Sequence, residues 1–161
     1  MNVRVVDGDL LKAEDRFIVH QCNCVTSNAA HLAKSVFDAF PWSDIYSERR
    51  GFDVPLSEHQ PGGIVVRGEG RHERLVIAIL GQYYPGRSKY PEGERDGLES
   101  RRGYFRSGLE KILLYGGIDT IAFPFGIGCG AAGGDWGQYF EMLEWFAEEL
   151  DGEVTIYRYG G

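Results

Sequence analysis

Residues 123–136 read FPFGIGCGAAGGDW. Five glycines and two alanines surround a lone Cys129, and the run closes on Asp135 and Trp136. Glycine in a loop raises the entropic cost of folding, so a cluster of them marks a sharp bend or a close approach to the backbone. The flanks tell more. Ile118–Phe123 before the run is apolar and β-branched, as a buried strand would be. Tyr139–Leu150 after it has helical spacing, and Val154–Tyr159 reads as a final strand. Strand, glycine loop, helix is the general grammar of an anion cradle, because backbone N–H groups at a helix start can face a phosphate.

Working outward, Val3–Val6 is a short strand that stops at Asp7-Gly8, and Arg16–Gln21 (RFIVHQ) is a second. From Ala29 to Phe40 the residues Leu32, Ala33, Val36, Phe37 and Phe40 predict a helix that Pro41 ends. Residues 42–62 are mostly polar and read as irregular. Gly63–Arg67 and Leu75–Leu80 are two strands joined by a turn, and Glu99–Leu114 is a helix. Between them, GQYYPGRSKYPEGERDG (81–97) is a long loop, a common bearer of function. Strands alternating with helices imply one α/β domain over residues 1–161, a three-layer α/β/α sandwich around a mixed sheet of about six strands. Ligands in such folds lie beyond the carboxyl ends of the strands, where residues 7–10, 22–31, 81–90 and 125–135 fall.

Composition narrows the function. The 161 residues carry a net charge of −7, which argues against binding nucleic acid through a broad basic face. A small anion held by backbone amides remains compatible with it. Glycine, at 23 residues, is about twice its usual share and has no repeat period. Three cysteines are too few and too odd in number for a disulfide framework. No apolar run nears the ~20 residues of a membrane span, and MNVRVVDGDLL lacks the basic-then-apolar pattern of a secretory signal. A cytoplasmic protein without a membrane partner or cofactor is expected.

Familiar phosphate motifs do not fit. GxxxxGK[ST] is absent. GxGxxG can be written onto Gly128–Gly133, but so late in these 161 residues that no room is expected for an acidic partner in a following unit. His20, Cys22, Cys24 and His31 could be read as a zinc cluster, yet their spacing is wrong for a structural finger and small buried cysteines are simpler. No metal site is expected.

GDLL at 8–11, a strand ending in His20-Gln21-Cys22-Asn23, a small-residue turn into a helix, and the late FPFGIGCGAAGGDW together resemble the macrodomain family over roughly residues 3–158. That resemblance implies an ADP-ribose-binding module, in some members a hydrolase of ADP-ribosyl bonds or ADP-ribose-1″-phosphate. It implies that Asp9, with Leu10 beside it, meets the adenine, and that Asn23 holds the distal ribose through both its amide donor and its acceptor. The diphosphate would lie on Gly128, Cys129, Gly130, Ala131, Ala132 and Gly133, with Phe125 at the head of the loop. Each residue also has a plainer reading. Asp9 and Asn23 could simply make turns, Asp135 could cap the last helix, and Cys129 could be a packed thiol instead of a nucleophile.

This chain departs from the family where TSNAAHLAK (26–34) replaces a glycine run. His31 stands there, and histidine exchanges protons near neutral pH. His31, Asp135 and Asn23 are therefore the candidate catalytic set, with Asp135 orienting His31 or activating water. A lysine–aspartate mechanism known among relatives is not carried over, since Lys34 and Asp135 do not match its positions. Tyr83, Tyr84 and Tyr90 could form an aromatic rim. Arg87, Lys89, Arg101 and Arg102, interleaved with Glu92, Glu94 and Asp96, read as a solvated face. Three functions stay open: a hydrolase acting on an ADP-ribosylated substrate, a reader of ADP-ribose without turnover, and a pocket for another nucleotide.

Overall fold

A computed structural model describes residues 3–51 and 54–159. Six strands form one sheet: β1 (Val3–Asp7), β2 (Phe17–Cys22), β3 (Ile64–Arg67), β4 (Leu75–Leu80), β5 (Thr120–Pro124) and β6 (Glu153–Arg158). Their order is β1-β6-β5-β2-β4-β3. All neighbours are parallel except β3, which runs antiparallel to β4 at the edge. Three helices complete the fold: α1 (His31–Ala39), α2 (Leu98–Tyr115) and α3 (Trp136–Glu149). This is the mixed six-stranded α/β/α sandwich that the alternation of elements implied. Residues 42–62 hold short 3-10 turns at Pro41–Ser43 and Ile45–Glu48, while Phe52 and Asp53 of that segment lie outside the described residues.

Alternating side chains of each central strand feed two separate cores. Phe17 and Val19 of β2, Ile77 and Ile79 of β4, and Ile121 and Phe123 of β5 pack against Phe105 and Leu109 of α2 and Leu143 and Phe146 of α3. Ile18 and Cys22, Val76 and Ala78, and Ala122 face the other way, onto Val36 and Phe37 of α1 and onto Tyr46. A strand covered on both faces reads as a continuous apolar run, and all six residues of β4 (LVIAIL) are buried. Gly108 lets α2 approach β4 closely, since a Cβ there would stand 2.6 Å from Ile79 Cγ2.

Neighbouring strands β2 and β5 lead to opposite faces. The chain leaves β2 for α1 on one side and β5 for α3 on the other. Such a divergence of parallel strands opens a crevice at their carboxyl ends.

Candidate functional site

A cleft of about 340 Å³ occupies that switch point. One wall is the turn after β2 and the start of α1, including Asn23 and His31; the other is the glycine loop, from Phe125 to Ala132. Pro85 and Gly86 of the long loop close one end.

The glycines of the loop serve three different purposes. Gly128 (φ +79°) and Gly134 make room for Tyr139, whose ring would lie 2.4 Å and 2.7 Å from Cβ atoms added there. Gly126 (φ +80°) and Gly133 (φ +85°) hold a left-handed backbone that side chains rarely adopt. Gly130 has neither constraint: its φ is ordinary and a Cβ would meet nothing within 4 Å. Making room for a ligand therefore explains only part of the cluster. The same division holds for the amides. Those of Ile127, Cys129, Gly133 and Gly134 bond to carbonyls inside the loop, whereas Gly130, Ala131 and Ala132 carry three consecutive N–H groups with no partner among the described residues. All three line the cleft. Consecutive free amides on one concave backbone favour an anion.

Asn23, buried, faces this row from the opposite wall. Its Oδ1 accepts from Val25 N (3.0 Å), Thr26 N (2.9 Å) and Arg49 Nη1 (3.2 Å). Three donors converging on one atom settle which end of the amide is oxygen. The Asx turn is thus real, and the expectation that Asn23 offers both donor and acceptor to a ligand is corrected: its acceptor is occupied, and its NH2 alone is free among the described residues.

His31 begins α1 with φ +53°, exposed at the cleft's edge. A left-handed non-glycine residue is uncommon, and histidine is among the side chains that tolerate it. Asp135 does not join it. Asp135 caps α3, its Oδ1 accepting from Gly137 N at 3.0 Å, and stands outside the cleft lining. Gly133 does not line the cleft either. Asp9 caps the 3-10 turn at Leu10–Lys12, with Leu11 N donating to its Oδ1 at 2.9 Å, and neither Asp9 nor the buried Leu10 lines the cleft. Phe125 does line it, 40% exposed, with Trp136 4.7 Å from its ring and Arg158 over its face. Lys34 pairs with Asp38 at 2.7 Å on the exposed face of α1.

The thiols are quiet. Burial, with Asp135 nearby, pushes Cys129 up to about 11, away from the thiolate a nucleophile requires. Burial pushes Cys22 and Cys24 to about 12 and lowers His20 to about 4. Among the described residues no three histidine, cysteine or acidic side chains are arranged to hold a metal ion. The titratable side chains that line the cleft are His31, Tyr46 and Cys129, and burial raises the last two.

Two buried arginines were missed or misread in the sequence. Arg101, expected on a solvated face, is 1% exposed and holds Asp96 in a two-pronged ion pair of 2.9 Å and 2.6 Å. It also donates to Gly86 O, Tyr84 O and Ala132 O, tying the long loop to the glycine loop. Arg49, in the polar run SERRG, carries no sequence signal that sets it apart from Arg50, yet it is buried against Asn23. The tyrosines Tyr83, Tyr84 and Tyr90 form a cluster, Tyr84 stacked on Tyr90 at 5.4 Å, but the loop reaches the cleft lining through Pro85 and Gly86 instead.

No protein-family model and no curated protein matches the sequence. Solved structures do match. The macrodomain of Mycobacterium tuberculosis DarG superimposes with a TM-score of 0.72 at 20% identity, over 96% of each chain. That of Thermus aquaticus DarG gives 0.70 at 24% identity, over 99% of this chain and 98% of the other. Thermosipho africanus DarTG, solved in complex with ADP-ribose, gives 0.71 at 19% identity over 98% of this chain and 41% of its own. Identities this low speak to architecture, and the architecture of this chain is the macrodomain fold.

Proposed function

We propose that this chain binds ADP-ribose in the cleft and hydrolyses an ADP-ribosyl linkage or ADP-ribose-1″-phosphate. The observation that carries the reading is the row of unpartnered amides at Gly130–Ala132 facing the free NH2 of Asn23. The amides take the diphosphate, Asn23 donates to a hydroxyl of the distal ribose, and Asp9 receives the adenine amino group beyond the cleft's end. A structural neighbour solved with ADP-ribose supports the ligand. In the hydrolytic step water attacks the anomeric carbon, and His31 moves a proton from that water to the departing oxygen.

A reader without turnover is the second reading, favoured by one observation: no carboxylate lines the cleft, Asp135 being held as a helix cap. Calorimetric titration with ADP-ribose, ADP and AMP tests the binding. ADP-ribose binding that weakens in Asp9→Ala is expected; no binding in the wild-type chain would sink the proposal. Turnover of an ADP-ribosylated substrate that vanishes in His31→Ala, with ADP-ribose affinity kept, separates hydrolase from reader. Asp135→Ala should then alter stability more than rate.

A further inference from the structure

An asparagine amide can sit in either of two orientations, and the choice decides whether it offers a ligand a donor or an acceptor. At Asn23 the backbone amides of Val25 and Thr26 make that choice by donating to Oδ1 at 3.0 Å and 2.9 Å, and a neighbour reinforces it. Arg49 Nη1 donates to Asn23 Oδ1 at 3.2 Å and to Thr26 O at 2.9 Å, and Nη2 donates to Asn23 O at 2.7 Å. Behind, Nε donates to His59 Nδ1 at 3.1 Å, and the guanidinium lies 4.4 Å from the centre of the Tyr46 ring. The hydroxyl of Tyr46 in turn accepts from Asn23 N at 2.9 Å. Arg49 and Tyr46 thus hold the turn from Asn23 to Thr26, of which Asn23 lines the cleft.

The charge of Arg49 is the unexpected part. The residue is 7% exposed, and each of its hydrogen-bond acceptors is neutral. Glu48, its neighbour in the chain, accepts from Arg67 at 2.9 Å and 3.1 Å and lies 3.4 Å from His59. A buried cation without direct counter-charge is a costly way to close a turn that two backbone amides already close. Placed behind an asparagine amide, however, it polarises that amide and strengthens the donor at the far end.

We infer that Arg49 is a positioning residue: it braces the Asn23–Thr26 turn and polarises the Asn23 amide as a donor toward the distal ribose, and so raises the preference of the cleft for ADP-ribose over ADP. The inference rests on ADP-ribose being the ligand of the cleft. In this arrangement Arg49 touches no ligand atom and acts only through Asn23.

The test compares two ligands that differ by the distal ribose. Calorimetry with ADP-ribose and ADP, alongside thermal melts, is run on the wild type, Arg49→Lys and Arg49→Gln. Losing the brace weakens the Asn23 donor and leaves the carbonyls of Asn23 and Thr26 without their arginine partner, which corresponds to about a tenfold to hundredfold loss for ADP-ribose. ADP affinity is expected to stay within about twofold, since an interaction absent from that complex contributes nothing to it. In an Asn23→Ala background the same arginine substitutions should cause no further loss of selectivity. Equal loss for both ligands would reduce Arg49 to a structural support, and no loss for either would overturn the inference. A wild-type chain that ignores ADP-ribose would instead refute the ligand itself. Should both variants fail to fold, the wild type still decides. The side-chain amide resonances of Asn23, identified by their loss in Asn23→Ala, must shift with ADP-ribose and not with ADP.

Discussion

The two walls of the cleft are each backed by a buried arginine, and the two are built on opposite principles. Arg101, behind the glycine loop, is neutralised on the spot by Asp96, itself 0% exposed and also accepting from Tyr83 N and Tyr84 N. Its remaining donors fasten carbonyls from two loops. Arg49, behind Asn23, has neutral acceptors and keeps its charge uncompensated at contact distance. One arginine is a closed ion pair that holds two segments together. The other binds the carbonyls and side chain of a single turn, with no carboxylate among its hydrogen-bond partners. The difference teaches that burial of an arginine says little about its role; the identity of its partners decides.

The largest expected effect follows from breaking the closed pair. Arg101→Met leaves Asp96 buried without its counter-ion and should cost about 3–5 kcal/mol in urea unfolding. Adding Asp96→Asn should recover part of that loss, because the stranded charge goes with it. Arg49→Gln strands no carboxylate and should cost about 1–3 kcal/mol. Should Arg49→Gln prove the more damaging of the two, the proposed contrast between the walls would be wrong.

Acid sharpens the contrast next. Burial lowers His20 to about 4, whereas an exposed imidazole titrates near 6.5, so the unfolded chain takes up the proton first as the pH falls. The contribution is fully present above about pH 6.5 and is lost on the way down to about pH 4, amounting to about 3 kcal/mol. His59 is lowered by burial and then by Arg49, so it adds in the same direction. Both histidines lie on the Arg49 side of the sheet: His20 packs edge-on to Phe37 of α1 at 5.4 Å, and His59 bonds to Arg49. No histidine among the described residues bonds to Arg101 or Asp96. Melts at pH 7 and pH 4.5 should differ clearly in the wild type and less in His20→Leu. A His20→Leu chain with the full wild-type slope would place the acid sensitivity elsewhere.

The smallest effect on stability separates two glycines of one loop. Gly128→Ala forces a Cβ toward Tyr139 and a left-handed φ on alanine, a cost of about 2–3 kcal/mol. Gly130→Ala should leave the melting temperature unchanged, since surface changes free of strain lie within about 0.5 kcal/mol. It should nevertheless weaken ADP-ribose binding, because it adds a methyl group in open space at a residue that lines the cleft. Unchanged binding in Gly130→Ala would detach the loop from the ligand.

Much of this was legible before any coordinates. Apolar spacing in Leu75–Leu80 and Ile118–Phe123, and the helical stripe of Val36 and Phe37, are local patterns that side-chain period dictates. The glycine loop and Asn23 were visible too, since turn chemistry is written in residue type. His31 and Asp135 could be named but not related, because their separation depends on how α1 and α3 leave the sheet on opposite faces. Arg101 was misread for a different reason. Charged neighbours such as Glu94, Arg95, Glu99 and Arg102 suggest a solvated face, and nothing in that string reveals that one cation turns inward to meet Asp96.

By itself, then, the sequence determined the alternation of elements, the sandwich it implies, and the loop rich enough in glycine to offer bare backbone. Those properties reside in a residue and its near neighbours. Only the tertiary structure decided which glycines serve Tyr139 and which face the cleft, that Asp135 stays with its helix, and that Asn23 turns its NH2 outward. The glycines answer to Tyr139 of α3, and Asn23 Oδ1 also accepts from Arg49, 26 residues away. A hydrogen bond requires a meeting in space, and only the folded chain arranges that meeting.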